Sequence, residues 1–436
     1  MRIAVIALGK IGLPLAVQFA GAGHEVIGAD VNEAAVASIN KGIVPFPGEY
    51  DLDRLLPEVI AAGRSQATTD TAGAVSQADA VVVVVPLFVD SDGVPDFAAM
   101  DSATRAIAGS LKPGALVSYE TTLPVGTTRT RFGPMLEAGS GLRVSEDFWL
   151  IFSPERVLTG RVFADLRRYP KLVGGVDPHS GAKGVEFYSQ VLEFDERPDL
   201  DRANGAWDLG SAEASEMAKL AETTYRDVNI GLANQFARFA DQHGFDITEV
   251  IAASNSQPYS HIHSPGIAVG GHCIPIYPRF YLWNDPAATI VKAARDANEG
   301  MPSYAVDLLE GAYGNLGGAR VVVLGASYRG GVKETAFSGV FPTVAALEKR
   351  GAQVSVHDPM YTDDELVQLG FTPFHLGDSA DAAILQADHE SYRALAPADI
   401  SGVRVLVDGR RVTNADSWTN VDRLEIGAPP RIGSAQ

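Results

Sequence analysis

The 436 residues contain one cysteine, and its neighbours favour reactivity. Cys273 stands in Val269-Gly-Gly-His-Cys-Ile-Pro275, where two glycines let the backbone fold tightly and leave the thiol accessible. The chemistry on offer is nucleophilic attack; the bland alternative is a cysteine buried as a small apolar residue. His261, His263 and His272 lie close by in sequence, but their spacing to Cys273 matches no standard zinc pattern, so no metal is expected. Along Glu216-Met-Ala-Lys-Leu-Ala-Glu-Thr-Thr-Tyr-Arg-Asp-Val-Asn229, Lys219, Thr223 and Arg226 recur at i, i+4 and i+7 on one helical face. Such a face is either solvated or, if it meets the thiol, supplies cations for an oxyanion. Phe152-Ser-Pro-Glu-Arg156 sets Glu155 just past a strand's carboxyl end, where open α/β sheets bind their ligands, although a lone acid there is more often a surface group.

A second chemistry is written at the start of the chain. Ala7-Leu8-Gly9-Lys10-Ile11-Gly12 is a G-x-G-x-x-G turn with alanine in its first position. Gly9 lets the backbone approach a pyrophosphate, and Gly12 permits close helix–sheet packing. Asp30, 18 residues after Gly12, is placed to accept from ribose hydroxyls, which favours NAD over NADP.

The elements that must position these residues alternate regularly. Residues 2–8 read as a strand, 9–12 as the turn, 13–22 as a helix ended by Gly23, and 25–30 as a second strand closing on an acid. Further strands are expected at 80–85, 115–120, 149–152 and 171–174. From Ser211 the composition becomes helical to about His243, and a second helical stretch runs from Ala287 to Tyr313 after a Pro/Gly-rich loop at 258–278. The strand–turn–helix–strand pattern then restarts at Arg320–Leu324, Gly325, Val340–Arg350 and Gln353–His357, ending on Asp358. The expected fold is α/β: two Rossmann-like doubly wound domains, at 1–199 and 314–436, joined by a helical middle domain at 200–313. That middle domain is expected to make a homodimer, and the tail after Val421 to be poorly ordered.

Composition narrows the functions. With 46% hydrophobic and 20% charged residues, the chain has the make-up of a multi-domain globular protein. The longest apolar run, Ala80 to Val89, contains Pro86 and is far too short to span a bilayer. The opening residues suit a first strand better than a cleavable leader. One cysteine fits a reducing, cytoplasmic setting. A net charge of −19 argues against nucleic acid or an anionic membrane as partner, and an anionic small ligand would need local cations.

Taken together, the segments resemble the UDP-glucose/GDP-mannose dehydrogenase family over nearly the whole chain. The matching stretches are Gly9-Lys-Ile-Gly-Leu-Pro14, Glu120-Thr-Thr-Leu-Pro-Val-Gly-Thr127, Ser153-Pro-Glu-Arg-Val157, Lys219-Leu-Ala-Glu222 with Arg226-Asp-Val-Asn229, Gly270-Gly-His-Cys-Ile-Pro275 and Asp408-Gly-Arg-Arg411. The wording around Arg226 and Gly270 is closest to the branch acting on N-acetylated UDP-hexoses. The resemblance implies a four-electron, NAD-dependent oxidation of a nucleotide sugar at C6, through a thiohemiacetal and a thioester on Cys273. It implies that Lys219 steadies an oxyanion, Glu155 assists hydrolysis, and Thr122 orders the water or cofactor. It counts Gly9, Lys10, Ile11, Gly12, Asp30, Pro86, Thr122 and Glu155 toward NAD. Toward the nucleotide sugar it counts Glu155, Arg156, Lys219, His261, Gly270, Tyr277, Arg329, Lys333 and Arg410, the last three for the diphosphate.

Five positions depart from the family pattern. Ala7 replaces the first fingerprint glycine, Thr223 an asparagine, Tyr277 an aspartate four residues after the cysteine, Ala268 a glycine of the substrate loop, and Ala336 an arginine. Because Cys273, Lys219, Glu155 and Thr122 remain, an active enzyme with altered substrate preference is expected. Its rivals are a catalytically silent nucleotide-sugar-binding protein and a two-electron β-hydroxyacid-type dehydrogenase. The latter would need neither the cysteine nor a third domain. A metal hydrolase built on the histidines is a distant third.

Overall fold

The computed structural model describes residues 1–90, 93–158 and 160–430. One compact unit comprises Met1–Glu222 and a second begins at Thr223.

In the first unit the strands are β1 (Arg2–Ile6), β2 (Glu25–Ala29), β3 (Ser65–Thr68), β4 (Ala80–Val83), a ribbon of β5 (Phe88–Val89) and β6 (Pro95–Asp96), then β7 (Leu116–Tyr119), β8 (Trp149–Phe152), β9 (Lys171–Gly175) and β10 (Ala206–Asp208). The main sheet runs β10-β9-β8-β7-β4-β1-β2-β3. From β3 to β8 all neighbours are parallel, the Rossmann order. β1, Arg-Ile-Ala-Val-Ile, is buried after its first residue. Parallel strands are covered on both faces and so read as continuous apolar runs. Two features go beyond the sequence reading. β9 is antiparallel to β8, and β10, paired with β9, carries the sheet past residue 199.

In the second unit helices Ala212–His243 (which begins in the first), Ile247–Asn255, Tyr277–Asn284, Thr289–Glu299 and Met301–Tyr313 precede a sheet of β11 (Arg320–Leu324), β12 (Gln353–His357), β13 (Ala382–Leu385), β14 (Val405–Asp408) and β15 (Asp422–Glu425). The sheet is fully parallel in the order β12-β11-β13-β14-β15, the other common doubly wound order. Side chains alternate across it: Val321 and Val323 join a core with Met301, Ala305 and Leu309, whereas Val322 and Leu324 face Tyr392, Leu395 and Trp418. Residues on either side of 313 therefore share one core. The single helical stretch expected over 287–313 is two helices, parted at Gly300. The tail is corrected as well, because β15 pairs with β14 and Arg423 is buried against Asp408. Residues 431–436 lie outside the described residues. Among the described residues no helix is long and apolar enough to cross a membrane.

The turn after β1 is the tightest point of the first unit. A Cβ built on Gly12 would lie 1.9 Å from the Ala7 carbonyl oxygen, so no larger residue fits. Ala7 itself has φ +74°, the left-handed region, which costs an L-residue about 1–2 kcal/mol. Ala7→Gly should therefore raise stability by about 1 kcal/mol, less the entropy glycine adds to the unfolded chain. A urea midpoint that moves down instead of up would show that this turn carries no such strain.

Candidate active site

In the first unit the carboxyl ends of β1, β4, β7 and β8, adjacent in the sheet, bring together the 7–12 turn, Pro86, Thr122 and Glu155. Backbone hydrogen bonds extend the alignment past the strand ends: Val84 N to Ile6 O at 3.0 Å, Glu120 N to Val83 O at 3.0 Å, and Glu155 N to Glu120 O at 3.2 Å. The strand order reverses between β1 and β4, the place where doubly wound sheets bind ligands. A Cβ built on Gly9 meets nothing within 4 Å, so the turn has open space at the start of helix Gly12–Gly21. Asp30 Oδ2 accepts from Leu8 N at 2.7 Å and Oδ1 from Asn32 N at 2.9 Å, which stands the carboxylate against that turn. These residues fit a dinucleotide, with the pyrophosphate at Gly9 and the ribose at Asp30. Lys10 and Pro86 are exposed beside it, Ile11 is half-buried and Thr122 is buried.

Behind this edge lie buried charges. Glu155 Oε2 and Glu120 Oε2 both accept from the Lys171 ammonium, at 3.0 and 2.6 Å, while Glu155 Oε1 accepts from Arg156 N at 2.7 Å. The Arg156 guanidinium is turned to Glu222. Glu216 is fully buried and accepts from Thr128 N at 2.9 Å, Thr128 Oγ1 at 2.7 Å and Gly126 N. It thereby ties the loop carrying Thr122 to the helix carrying Lys219. Burial pushes its carboxyl up to about 7, although Thr128 and Gly126 favour the charged form. Lys219 and Thr223 are on the buried side of the helix and are not part of a solvated face.

In the second unit the exposed Cys273 sits on a turn pinned from both sides. Gly271 N donates to Ala336 O at 2.8 Å, and Arg295 donates to Ile274 O at 3.3 Å. Arg295 is itself buried in an ion pair with Asp227 at 2.8 Å, and Asn298 donates to the same carboxylate at 2.7 Å. Burial raises Asp227 to about 6 against the pull of Arg295. The Cys273 carbonyl accepts from Tyr277 N at 2.9 Å, opening helix Tyr277–Asn284. Gly270 is obligatory, since a Cβ there would stand 2.6 Å from Tyr328 Cβ and 2.9 Å from Phe337 O. Asn229 accepts from His263 N and donates to His261 O, each at 2.8 Å, so His261 offers this contact through its backbone while its side chain is exposed.

The cations expected for a diphosphate differ in availability. Arg410 Nε donates to Gln386 O at 2.8 Å, and its guanidinium lies over Gly266, where a Cβ would be 3.2 Å from Nη1. Burial lowers its hold on the proton, with Asp388 opposing. Lys333 is instead paired with Glu365 at 2.6 Å, and Arg329 is exposed and lies near the ring of Tyr328. Ala268 is buried against Gly339, where a Cβ would come within 2.3 Å of the Ala268 methyl. Among the described residues no three His, Cys, Asp or Glu side chains gather as metal ligands.

The sequence reading missed Lys171, Glu120, Glu216, Asp227, Arg295 and Asn298. Position offered a signal for two of them. Asp227 continues the 219, 223 spacing by one more turn, and Glu216 precedes Lys219 by three residues on the same face.

The chain matches the UDP-glucose/GDP-mannose dehydrogenase family in three blocks: its NAD binding domain over residues 1–192, its central domain over 213–300 and its UDP binding domain over 322–415. It is 34% identical to UDP-N-acetyl-D-mannosamine dehydrogenase of Pyrococcus horikoshii, covering 94% of this chain and 96% of that protein. The match to the Yersinia pestis enzyme of the same name is 32% over 91% and 96%. A solved structure of the Pyrococcus horikoshii UDP-D-ManNAc dehydrogenase superposes with a TM-score of 0.86 at 31% identity, covering 98% of this chain and 99% of that one.

Burial also makes the fold pH-sensitive. Glu120 and Glu216 are both raised from 4.5 to about 7, so the folded chain holds protons that the unfolded chain has released. Their contribution to stability is therefore complete below pH 4.5 and lost as the pH rises through 7. Glu216→Gln should flatten this decline between pH 5 and 8, while costing about 1–3 kcal/mol throughout because an amide faces hydrogen-bond donors. Urea midpoints measured across that range decide it, and a slope as steep as wild type would count against Glu216 holding the proton.

Proposed function

Because the chain belongs to the UDP-glucose/GDP-mannose dehydrogenase family, we propose that it oxidises the C6 hydroxyl of a UDP-N-acetylhexosamine to the carboxylate, with Cys273 as covalent nucleophile. The observation that carries this reading is the exposed thiol of the chain's one cysteine on a turn fixed at both ends. NAD⁺, when bound, takes the hydride lost from C6 in each of the two oxidations.

The first oxidation removes a hydride and a proton from the alcohol and leaves an aldehyde. Lys219 steadies the C6 oxygen as negative charge develops. The Cys273 thiolate then adds to the aldehyde carbon, giving a thiohemiacetal. Loss of the second hydride, together with the hydroxyl proton, converts this to a thioester. Water cleaves the C–S bond, releasing the carboxylate and restoring the thiol. Glu155, held ionised beside Lys171, is the group suited to take the proton from that water. Thr122 orders the water or the cofactor, and Thr223 takes the family's asparagine position. Arg156, His261, Gly270 and Tyr277 complete the sugar side, with Arg410 on the diphosphate; Arg329 assists, and Lys333 does so only on leaving Glu365. Tyr277, in place of a carboxylate, and Ala268, in place of glycine, are where substrate preference is set.

The three-part division at 199 and 313 is part of the proposal, supported by the three family blocks. So are a cytoplasmic setting, which suits a free thiol and NAD⁺, and a homodimer. Tyr225, Leu232, Phe236 and Phe239 recur on one side of the long helix and remain exposed, an apolar stripe suited to a second copy. Sedimentation at the mass of one chain would overturn the dimer.

With UDP-N-acetyl-D-mannosamine, NADH absorbance at 340 nm should report two NADH per sugar, and Cys273→Ala should stop at one or fewer. No NADH from any nucleotide hexose, in folded protein that binds NAD⁺, would leave the silent binding protein instead. Arg410→Ala should raise KM by about 10- to 100-fold, as expected for losing a charge-assisted contact of about 1.5–3 kcal/mol, with kcat less affected. A KM within twofold of wild type would remove Arg410 from the diphosphate.

A further inference from the structure

Glu155 is backed by a chain of buried polar groups to which the chemistry above gives no part beyond charge. β9 runs antiparallel to β8 with Phe152 opposite Gly174, and extending that register by three residues sets Lys171 opposite Glu155. The Lys171 side chain is 5% exposed, with Glu120 at 0% and Glu155 at 10%. The ammonium bridges Glu120 Oε2 at 2.6 Å and Glu155 Oε2 at 3.0 Å. Glu120 Oε1 accepts from the Tyr188 hydroxyl at 2.6 Å, which meets Ser118 Oγ at 2.7 Å, and the ammonium lies 4.9 Å from the centre of the Tyr188 ring. Glu155 Oε1 is already taken by Arg156 N. The other charged or titratable groups facing this cluster are Asp165 and Tyr169, which line the small cavity beside Glu155 and Lys171, and Glu222, which is engaged with Arg156.

Two carboxylates so close cannot both ionise without a cation. Here they part company. Burial drives Glu120 up to about 7, whereas for Glu155 the ammonium and the Arg156 amide outweigh burial and hold the carboxyl below its usual range. Below about pH 7 the proton therefore sits on the acid at the back, and the charge on the one at the sheet edge.

We propose that Lys171 is the positioning residue for Glu155, fixing its Oε2 and its charge, and that Glu120 and Tyr188 hold the ammonium in place from behind. The proposal rests on reading Glu155 as the group that assists thioester hydrolysis. Clamped at both oxygens, Glu155 cannot swing away. Its remaining lone pairs are left to direct a water.

The test compares full-length Lys171→Met, Lys171→Arg, Glu120→Gln and Glu155→Gln with wild type, using UDP-N-acetyl-D-mannosamine and NAD⁺. The readouts are kcat against pH and quenched intact mass for sugar bound to Cys273. Lys171→Met should lower kcat about 100-fold, the usual scale of a general base, and accumulate the acylated cysteine. Its acid limb should move to higher pH, because two carboxylates are left without a cation. Lys171→Arg should recover most of the rate. Glu120→Gln, neutral like the protonated acid it replaces, should leave the acid limb where it is; Lys171→Arg, which keeps the charge, decides the matter if Lys171→Met does not fold. An unmoved acid limb in folded Lys171→Met, or a rate loss that arginine does not rescue, overturns the proposal. Wild-type hydrolysis in Glu155→Gln would instead overturn the reading of Glu155 beneath it.

Discussion

An ammonium withdrawn from water between two carboxylates dictates how the first unit finishes its sheet. Breaking such a buried pair costs about 3–5 kcal/mol, so the three groups must arrive together. Glu120 and Glu155 follow the ends of parallel neighbours, β7 and β8, and reach the same edge without special arrangement. Lys171 is the first residue of its strand, and a further parallel strand would start at the opposite edge. Turning β9 antiparallel brings its first residue to the carboxyl ends. That reversal imposes a further demand, because β9 now lies against the chain near Ser211. A Cβ on Gly174 would come within 2.0 Å of Ser211 O and 2.8 Å of Ser215 Cβ. The start of the helix bearing Glu216 and Lys219 is thus seated directly on the strand bearing Lys171. One buried charge, one strand reversal and one glycine locate Glu155, Lys171 and Lys219.

The second unit solves a different problem, presenting a thiol on a loop rich in proline and glycine. Regular hydrogen bonds are unavailable there, so the loop is held by side chains of the surrounding helices. Asn229 and Asn234 on the long helix hold the backbone at 261–266, and Arg295 holds the carbonyl after Cys273. The glycines serve closeness: Gly266 lies under Arg410, and Gly270 lies under Tyr328. A loop so anchored keeps the exposed Cys273 thiol in place without burying it.

Much of this was legible in the sequence. The two βαβ units, their acids and the long helix follow from apolar runs and glycine punctuation, and the structure repeats them within a residue or two. The Cys273 turn and the carboxyl-edge position of Glu155 were equally plain. Strand direction was not. Leu172-Val-Gly-Gly reads the same whichever way β9 runs, and β10, with only Ala206–Asp208, has too few residues to show a period. The buried ion pairs were hidden for a related reason. Lys171 and Glu120 look like ordinary charged residues at strand ends and Arg295 like one inside a helix, and only the sheet order and the helix packing reveal that their partners lie far along the chain.

The two doubly wound halves show how one pattern is put to different uses. In each, an acid at the end of the second strand accepts from the backbone of the first turn: Asp30 from Leu8 N, Asp358 from Ala326 N and Ser327 N at 2.8 and 2.9 Å. In the first half Asp30 stays half-buried beside open space at Gly9. In the second, His389 closes over Asp358 at 3.0 Å and the carboxylate is buried. Gly325, with φ +104°, is pressed against Ala387, where a Cβ would clash at 2.4 Å. In the second half the acid is a structural tie, bonded to the turn and to His389. Arg410, the cation proposed for the diphosphate, follows the end of β14, where it is held by a backbone carbonyl and, among the described residues, has no carboxylate in an ion pair with it. A carboxylate partner there would neutralise the guanidinium, and a carbonyl leaves its charge for a ligand.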